Sequence, residues 1–286
     1  MNLATTTIAV LLATGAPAAR AASIPVTTCG QVVMGVGELT GDLDCSADPG
    51  EAVKLTGRLL LNGFTLTGNP ADDVVRCETG GCIVEGPGTV TGGMDGIRGD
   101  RTVKVRLGVI VTGNADTGVR AKASAIVSDS TITANGVDGI EADASVKLAG
   151  TTVTGNGGDG VRAKKRASLK TSTVSGNGGD GVRADGSATL SESSVADNGG
   201  DGVHAESRAS VKLSSVTGNG FDGARGLKVT LKDATATGNG IDPACGVSDD
   251  CADVASELPP AVSAASACDT SRRTEDGGTW GVCAAD

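Results

Sequence analysis

The chain has 286 residues, a formal charge of −10, and 45 Gly against two Phe, one Trp and no Tyr. Its acidic balance excludes a general nucleic-acid binder, which needs basic surface to meet phosphates, and the scarcity of aromatic rings removes most stacking platforms for bases and sugars. Eight cysteines, with no C-x-x-C pair among them, read as disulfides of an exported chain and not as zinc ligands.

In chain order, residues 1–21 read as a signal peptide: Ile8 to Leu12 form a short apolar run, followed by small residues and an Ala19-Arg20-Ala21 cleavage pattern. That run is too short to cross a bilayer and no later stretch is longer, so no membrane span is expected. A secreted product, extracellular or periplasmic and monomeric, is expected to begin near Ala22. Residues 22–93 are expected to form an N-terminal cap and first irregular coils, carrying Cys29, Cys45, Cys77 and Cys82. Residues 94–240 hold regular repeats without cysteine, and residues 241–286 form a C-terminal cap with Cys245, Cys251, Cys268 and Cys283. Proximity suggests pairing near neighbours: Cys29 with Cys45, Cys77 with Cys82, Cys245 with Cys251, and Cys268 with Cys283.

Within the repeats, Gly118, Gly139, Gly160, Gly181, Gly202 and Gly223 recur every 21 residues. Asn114, Asn135, Asn156, Asn177, Asn198 and Asn219 keep the same interval, and Asn239 follows one residue early. A fixed period of this length marks a stacked solenoid. The coil from Gly158 to Gly178 contains three short alternating stretches, led by Val161 and Ala163, by Ala167 and Leu169, and by Val174. Alternation with period two predicts strands with one buried face, whereas a helix would be interrupted by glycine pairs in every repeat. Three strands and three turns use up about 21 residues, so the prediction is an all-β, single-stranded parallel β-helix whose coils stack at about 4.8 Å. The asparagines are expected to take left-handed turn conformations and to pass hydrogen bonds from coil to coil.

The phrase T-G-N-G-G-D-G-V, with L-L-L-N-G-F-T-L-T-G-N at 59–69 and V-E-G-P-G-T-V-T-G at 84–92, resembles secreted bacterial right-handed parallel β-helix repeat proteins of pectin-lyase-like fold. The resemblance covers about residues 38 to 240 and is specific for fold, implying a right-handed solenoid. The closing D-G-G-T-W-G-V-C is similar to the end caps of such proteins, which hide the last strand edge. For chemistry the resemblance is broad, since that superfamily includes lyases, hydrolases, epimerases and adhesins. Its polygalacturonase branch uses aspartate pairs and a G-H-G phrase, and no G-H-G occurs in this sequence.

The outward faces differ. The first strand of each coil presents Arg120, Glu141, Arg162, Arg183, His204 and Arg225 in one column, and the resemblance places catalytic and metal-binding groups on this face. The column is therefore the candidate binding site, with extracellular or cell-surface polysaccharide as partner, set against a plain solvated face of surface ion pairs. His204, the only histidine, is read as solvent-facing. The third strand presents Thr or Ser at sixteen of eighteen outward positions, which opens an ice-binding reading beside simple β-propensity. Asp138, Asp159, Asp180, Asp201 and Asp222 are read as turn caps beside glycines that suit tight turns. Calcium is the alternative for these aspartates; otherwise no metal, cofactor or catalytic residue is expected. The leading reading is a non-catalytic structural or binding module, with a polysaccharide-active enzyme as the alternative.

Overall fold

The computed structural model describes residues 23–240 together with 245–246. The expected signal peptide, most of the C-terminal cap and the two C-terminal disulfides lie outside the described residues. The chain winds into a parallel solenoid of about ten turns with about 21 residues per turn. All strand pairings are parallel and join each coil to the next: Val161–Ala163 lies between Ile140–Ala142 and Val182–Ala184, and Arg166–Lys170 between Ser145–Ala149 and Ser187–Ser191. These first two faces form one 18-stranded sheet, while third-face strands such as Thr152–Thr154 and Thr173–Ser175 make a separate 10-stranded sheet.

The core follows from the alternation. Val161, Ala163, Ala167, Leu169 and Val174 are all buried, and the matching aliphatics of the other coils lie in register with them. Leu148, Leu169, Leu190, Val211 and Leu231 form one such column. Burying a side chain of this size contributes about 1.5–3 kcal/mol, and the small alanines of the first face keep the interior narrow enough to fill without aromatic rings. The early Asn239 has a local origin. Ala205 pairs with Gly226 but Arg208 with Lys228, so the last regular coil loses one residue at the corner between faces one and two.

Asparagines run along the corner after the third face. Asn156 Nδ2 donates to Asn177 Oδ1 at 2.8 Å, Asn177 Nδ2 to Asn198 Oδ1 at 2.8 Å, and the series continues from Asn114 to Asn239. From Asn135 onward each Oδ1 also accepts the backbone N–H of the preceding asparagine, as from Asn156 to Asn177 at 3.1 Å, and Asn114 Oδ1 accepts that of Gly93. The left-handed turn conformation, however, falls on the residue before each of these asparagines: Gly113, Ala134, Gly155, Gly176, Asp197, Gly218 and Gly238 have φ of 53° to 67°. The asparagine is therefore placed for its amide and not for its backbone.

The D-G glycines also differ from expectation. Gly160 has no positive φ; a Cβ there would meet Val174 Cγ1 at 2.6 Å and Asn177 Nδ2 at 2.7 Å. Close packing against the amide column, and not turn conformation, excludes a side chain. Disulfides join Cys29 to Cys45 and Cys77 to Cys82, stapling the first coils as proximity suggested.

Candidate functional site

The first face places its outward residues in strict register. Arg76, Arg98, Arg120, Glu141, Arg162, Arg183, His204 and Arg225 are successive neighbours in one column. Cations about 4.8 Å apart repel one another, so the column needs counter-charge. A second column supplies it from beneath, in Asp73, Asp95, Asp138, Asp180 and Asp201, all buried.

From Asp95 onward the two oxygens of the ladder aspartates divide their work. Oδ1 accepts a backbone N–H from the next coil: Asp159 N–H donates to Asp138, Asp180 to Asp159 and Asp201 to Asp180, each at 2.8 Å, and Asp222 to Asp201 at 2.9 Å. Oδ2 faces the cations. Arg76 Nη1 lies 3.2 Å from Asp73 Oδ2, Arg98 and Arg120 Nη1 lie 3.5 and 3.4 Å from Asp95 Oδ2, and Arg183 Nη1 lies 3.5 Å from Asp180 Oδ2. The guanidinium groups are thus anchored from behind; Arg162, Arg183 and Arg225 keep a third or more of the side chain exposed, while Arg120 is held on all sides by Asp95, Asp116, Thr117 and Glu141. The Asp–Gly turn does cap backbone N–H groups, but one coil away, which builds a lengthwise carboxylate ladder.

Burial dominates the titration of these acids, since it disfavours the charged form. It pushes Asp95 up to about 6 despite the Arg120 charge, and Asp138 up to about 6 despite the N–H of Asp159. Asp73, Asp159 and Asp201 move in the same direction for the same reason. Asp180 is the exception: burial acts upward there too, but His204 and the Asp201 N–H outweigh it and hold the carboxyl below its usual range.

Two positions break the pattern. Thr117 stands where the other coils carry Asp, and its Oγ1 accepts from Arg120 Nη2 at 3.0 Å. Glu141 stands where the others carry a cation, and it accepts from Arg120 Nε at 2.9 Å. Around this break lies an open depression lined by Arg98, Gly99, Arg120, Ala121, Lys122, Glu141 and Asp143. It offers donors and acceptors side by side. His204 is only partly solvent-facing: its side chain is 20% exposed, and Nδ1 lies 3.4 Å from both Asp180 Oδ2 and Asp201 Oδ2. These three residues are the described group able to hold a metal ion.

Comparison with known families matches the right handed beta helix region over residues 95–248, more than half of the chain. The chain belongs to this right handed beta helix family. Among solved structures, the A-module of the mannuronan C-5 epimerase AlgE6 from Azotobacter vinelandii resembles this β-helix with a TM-score of 0.53 and 13% identity, over 78% of each chain. At that identity the likeness shows the fold alone. No curated protein matches the sequence. Among the described residues no helix is long and apolar enough to cross a membrane, and the two disulfides of this β-helix are compatible with an oxidising, extracellular setting.

The third face of this β-helix carries its hydroxyls in columns, with Thr131, Thr152, Thr173, Ser194, Ser215 and Thr235 in register. A further polar column, Ser130, Thr151, Ser172, Ser193 and Ser214, is not among the residues that the sequence marks as functional. Its members are buried at the corner before the third face, where Ser172 N–H donates to Ser193 Oγ at 3.2 Å and Ser172 Oγ to the Lys170 carbonyl at 2.8 Å. The signal was present as a 21-residue recurrence of small hydroxyl residues. The carboxylate ladder had the same signal, but only the fold shows that these acids sit behind the arginines.

Proposed function

We propose that this protein is a secreted β-helical module that binds an acidic polysaccharide along its first face, with the polymer running parallel to the solenoid axis. The observation that carries this reading is the in-register cation column, held from behind by buried carboxylates. Guanidinium groups fixed in this way lose little freedom on binding, and they match carboxylates in a planar, two-point fashion. The depression around Arg120 supports a sugar ligand over a simple anion. Arg98, Arg120 and Lys122 can meet uronate carboxylates while Glu141 and Asp143 accept from ring hydroxyls. Because the chain carries −10 overall, recognition rests on these short-range contacts and not on long-range attraction.

The test is calorimetric titration with oligouronates and with neutral glucan oligomers of equal length. Arg120→Ala and Arg183→Ala are each expected to weaken uronate binding about tenfold, the effect of losing about 1.4 kcal/mol. Equal affinity for the neutral polymer, or no change in both variants, would overturn the reading.

One observation favours a second, enzymatic reading of the same face. Asp95, paired with two arginines of the depression, and Asp138, beside Glu141, have pKa values of about 6, which suits proton transfer near neutral pH. Incubating an acidic glycan with the protein in deuterated buffer and following its ring protons by NMR separates the two readings. Exchange or new unsaturated ends lost in Asp138→Asn establish turnover, and an unchanged polymer leaves binding alone.

A further inference from the structure

His204 is the single histidine of the chain, and it stands in a column whose adjacent members, Arg183 and Arg225, are arginines. We infer that Asp180, Asp201 and His204 form a binding site for a divalent transition-metal ion of the zinc type, with one nitrogen and two carboxylate oxygens as ligands.

Distance carries the first part of the argument. His204 Nδ1 lies 3.4 Å from Asp180 Oδ2 and 3.4 Å from Asp201 Oδ2. A good N–H···O hydrogen bond is shorter, at about 2.7–3.2 Å, and a ring nitrogen held equally far from two carboxylates satisfies neither. In a tetrahedral zinc site, bonds of about 2.0–2.2 Å set neighbouring ligand atoms about 3.3–3.6 Å apart. Both nitrogen–oxygen separations match that edge, and all three ligand atoms lie within 4.8 Å of one another.

Burial and hydrogen bonding carry the second part. Asp180 is 8% and Asp201 4% exposed, and Asp180 Oδ2 is a buried oxygen without a hydrogen-bond partner among the described residues. The opposite oxygens are committed to the stack, accepting from the Asp201 and Asp222 backbone N–H groups at 2.8 and 2.9 Å. Both carboxylates are therefore oriented by backbone N–H groups, Asp180 by that of Asp201 and Asp201 by that of Asp222, as metal ligands are by their surroundings. The imidazole, 20% exposed, is the most accessible of the three ligands, so a water completing the shell would enter from its side. The flanking cations are Arg183 Nη1, 3.5 Å from Asp180 Oδ2, and Arg225 Nη1, 3.9 Å from Asp201 Oδ2. An ion bonded directly to the carboxylates displaces these longer pairings without requiring the side chains to leave.

The experiment uses the full chain without a histidine tag, titrated with zinc chloride by calorimetry and with cobalt(II) by visible absorption. Wild type is expected to take up one ion, with cobalt bands of a tetrahedral site. His204→Arg rebuilds the residue of the neighbouring coils, so the fold is preserved while the only nitrogen ligand is lost; Asp201→Asn removes one charge and keeps the ladder acceptor. Each is expected to weaken binding more than about tenfold and to abolish the cobalt spectrum. Both variants retain every cysteine, so thiol binding cannot produce the difference. Undiminished uptake in His204→Arg, or no saturable uptake by wild type at millimolar metal, overturns the site.

Discussion

Replacing Asp138 by Asn isolates the cost of the buried carboxylate ladder. The side chain is 6% exposed, its Oδ1 accepts from Asp159 N–H at 2.8 Å, and Arg162 Nη1 lies 3.9 Å from Oδ2. Asparagine keeps the Oδ1 acceptor and removes the charge. Burial raises the native carboxyl from 3.8 to about 6, so between those values the native state holds a proton that the unfolded chain has released. Stability from this group therefore falls as pH rises through the interval and stays low above it. At about 1.4 kcal/mol per pH unit the full interval corresponds to about 3 kcal/mol at pH 7. Asp138→Asn is thus expected to match wild type near pH 3.5 and to exceed it at pH 7 by up to about 3 kcal/mol, read from urea unfolding followed by circular dichroism. A variant less stable than wild type at pH 7 would mean instead that the ionised Asp138–Arg162 pair returns more than burial costs.

Asn177→Ala removes an Oδ1 that accepts two buried N–H groups of Asn156, at 3.1 and 2.8 Å. A loss of about 2–4 kcal/mol in the same unfolding assay is expected from two unsatisfied donors, and a loss below about 0.5 kcal/mol would show that the amide column is incidental. Gly160→Ala places a methyl group against Val174 Cγ1, Asn177 Nδ2 and the Gly181 carbonyl. It is expected to destabilise by about 1–3 kcal/mol through overpacking, whereas Gly176→Asn, at a φ of 62°, is expected to be tolerated because Asn adopts that conformation.

The fold was legible because one period is written in three places at once. Val161, Leu169 and Val174 mark three inward positions per coil, and their repetition every 21 residues leaves a stacked coil as the arrangement that buries all of them. The corner before the third face was not legible in the same way. Asp129, Thr171, Glu192, Leu213 and Asp233 take φ of 47° to 51° there, yet these residues share no turn chemistry, since the stack imposes the conformation that the sequence does not announce. At the site, the arginine column could be read from alternation, whereas the role of the aspartates could not. Asp180 and His204 are far apart in the chain, and only winding by one coil brings His204 between Asp180 and Asp201 and converts a solvent-facing position into a half-buried one.

A hydrogen–deuterium exchange footprint of the protein with and without a saturating oligouronate locates the bound face most directly. Protection is expected on the first-face strands, above all Ile97–Gly99, Val119–Ala121 and Ile140–Ala142, with the third-face strands Thr131–Thr133 and Thr152–Thr154 unchanged. Protection centred on the threonine face, or none anywhere at saturation, would contradict the assignment of the charged column as the glycan site.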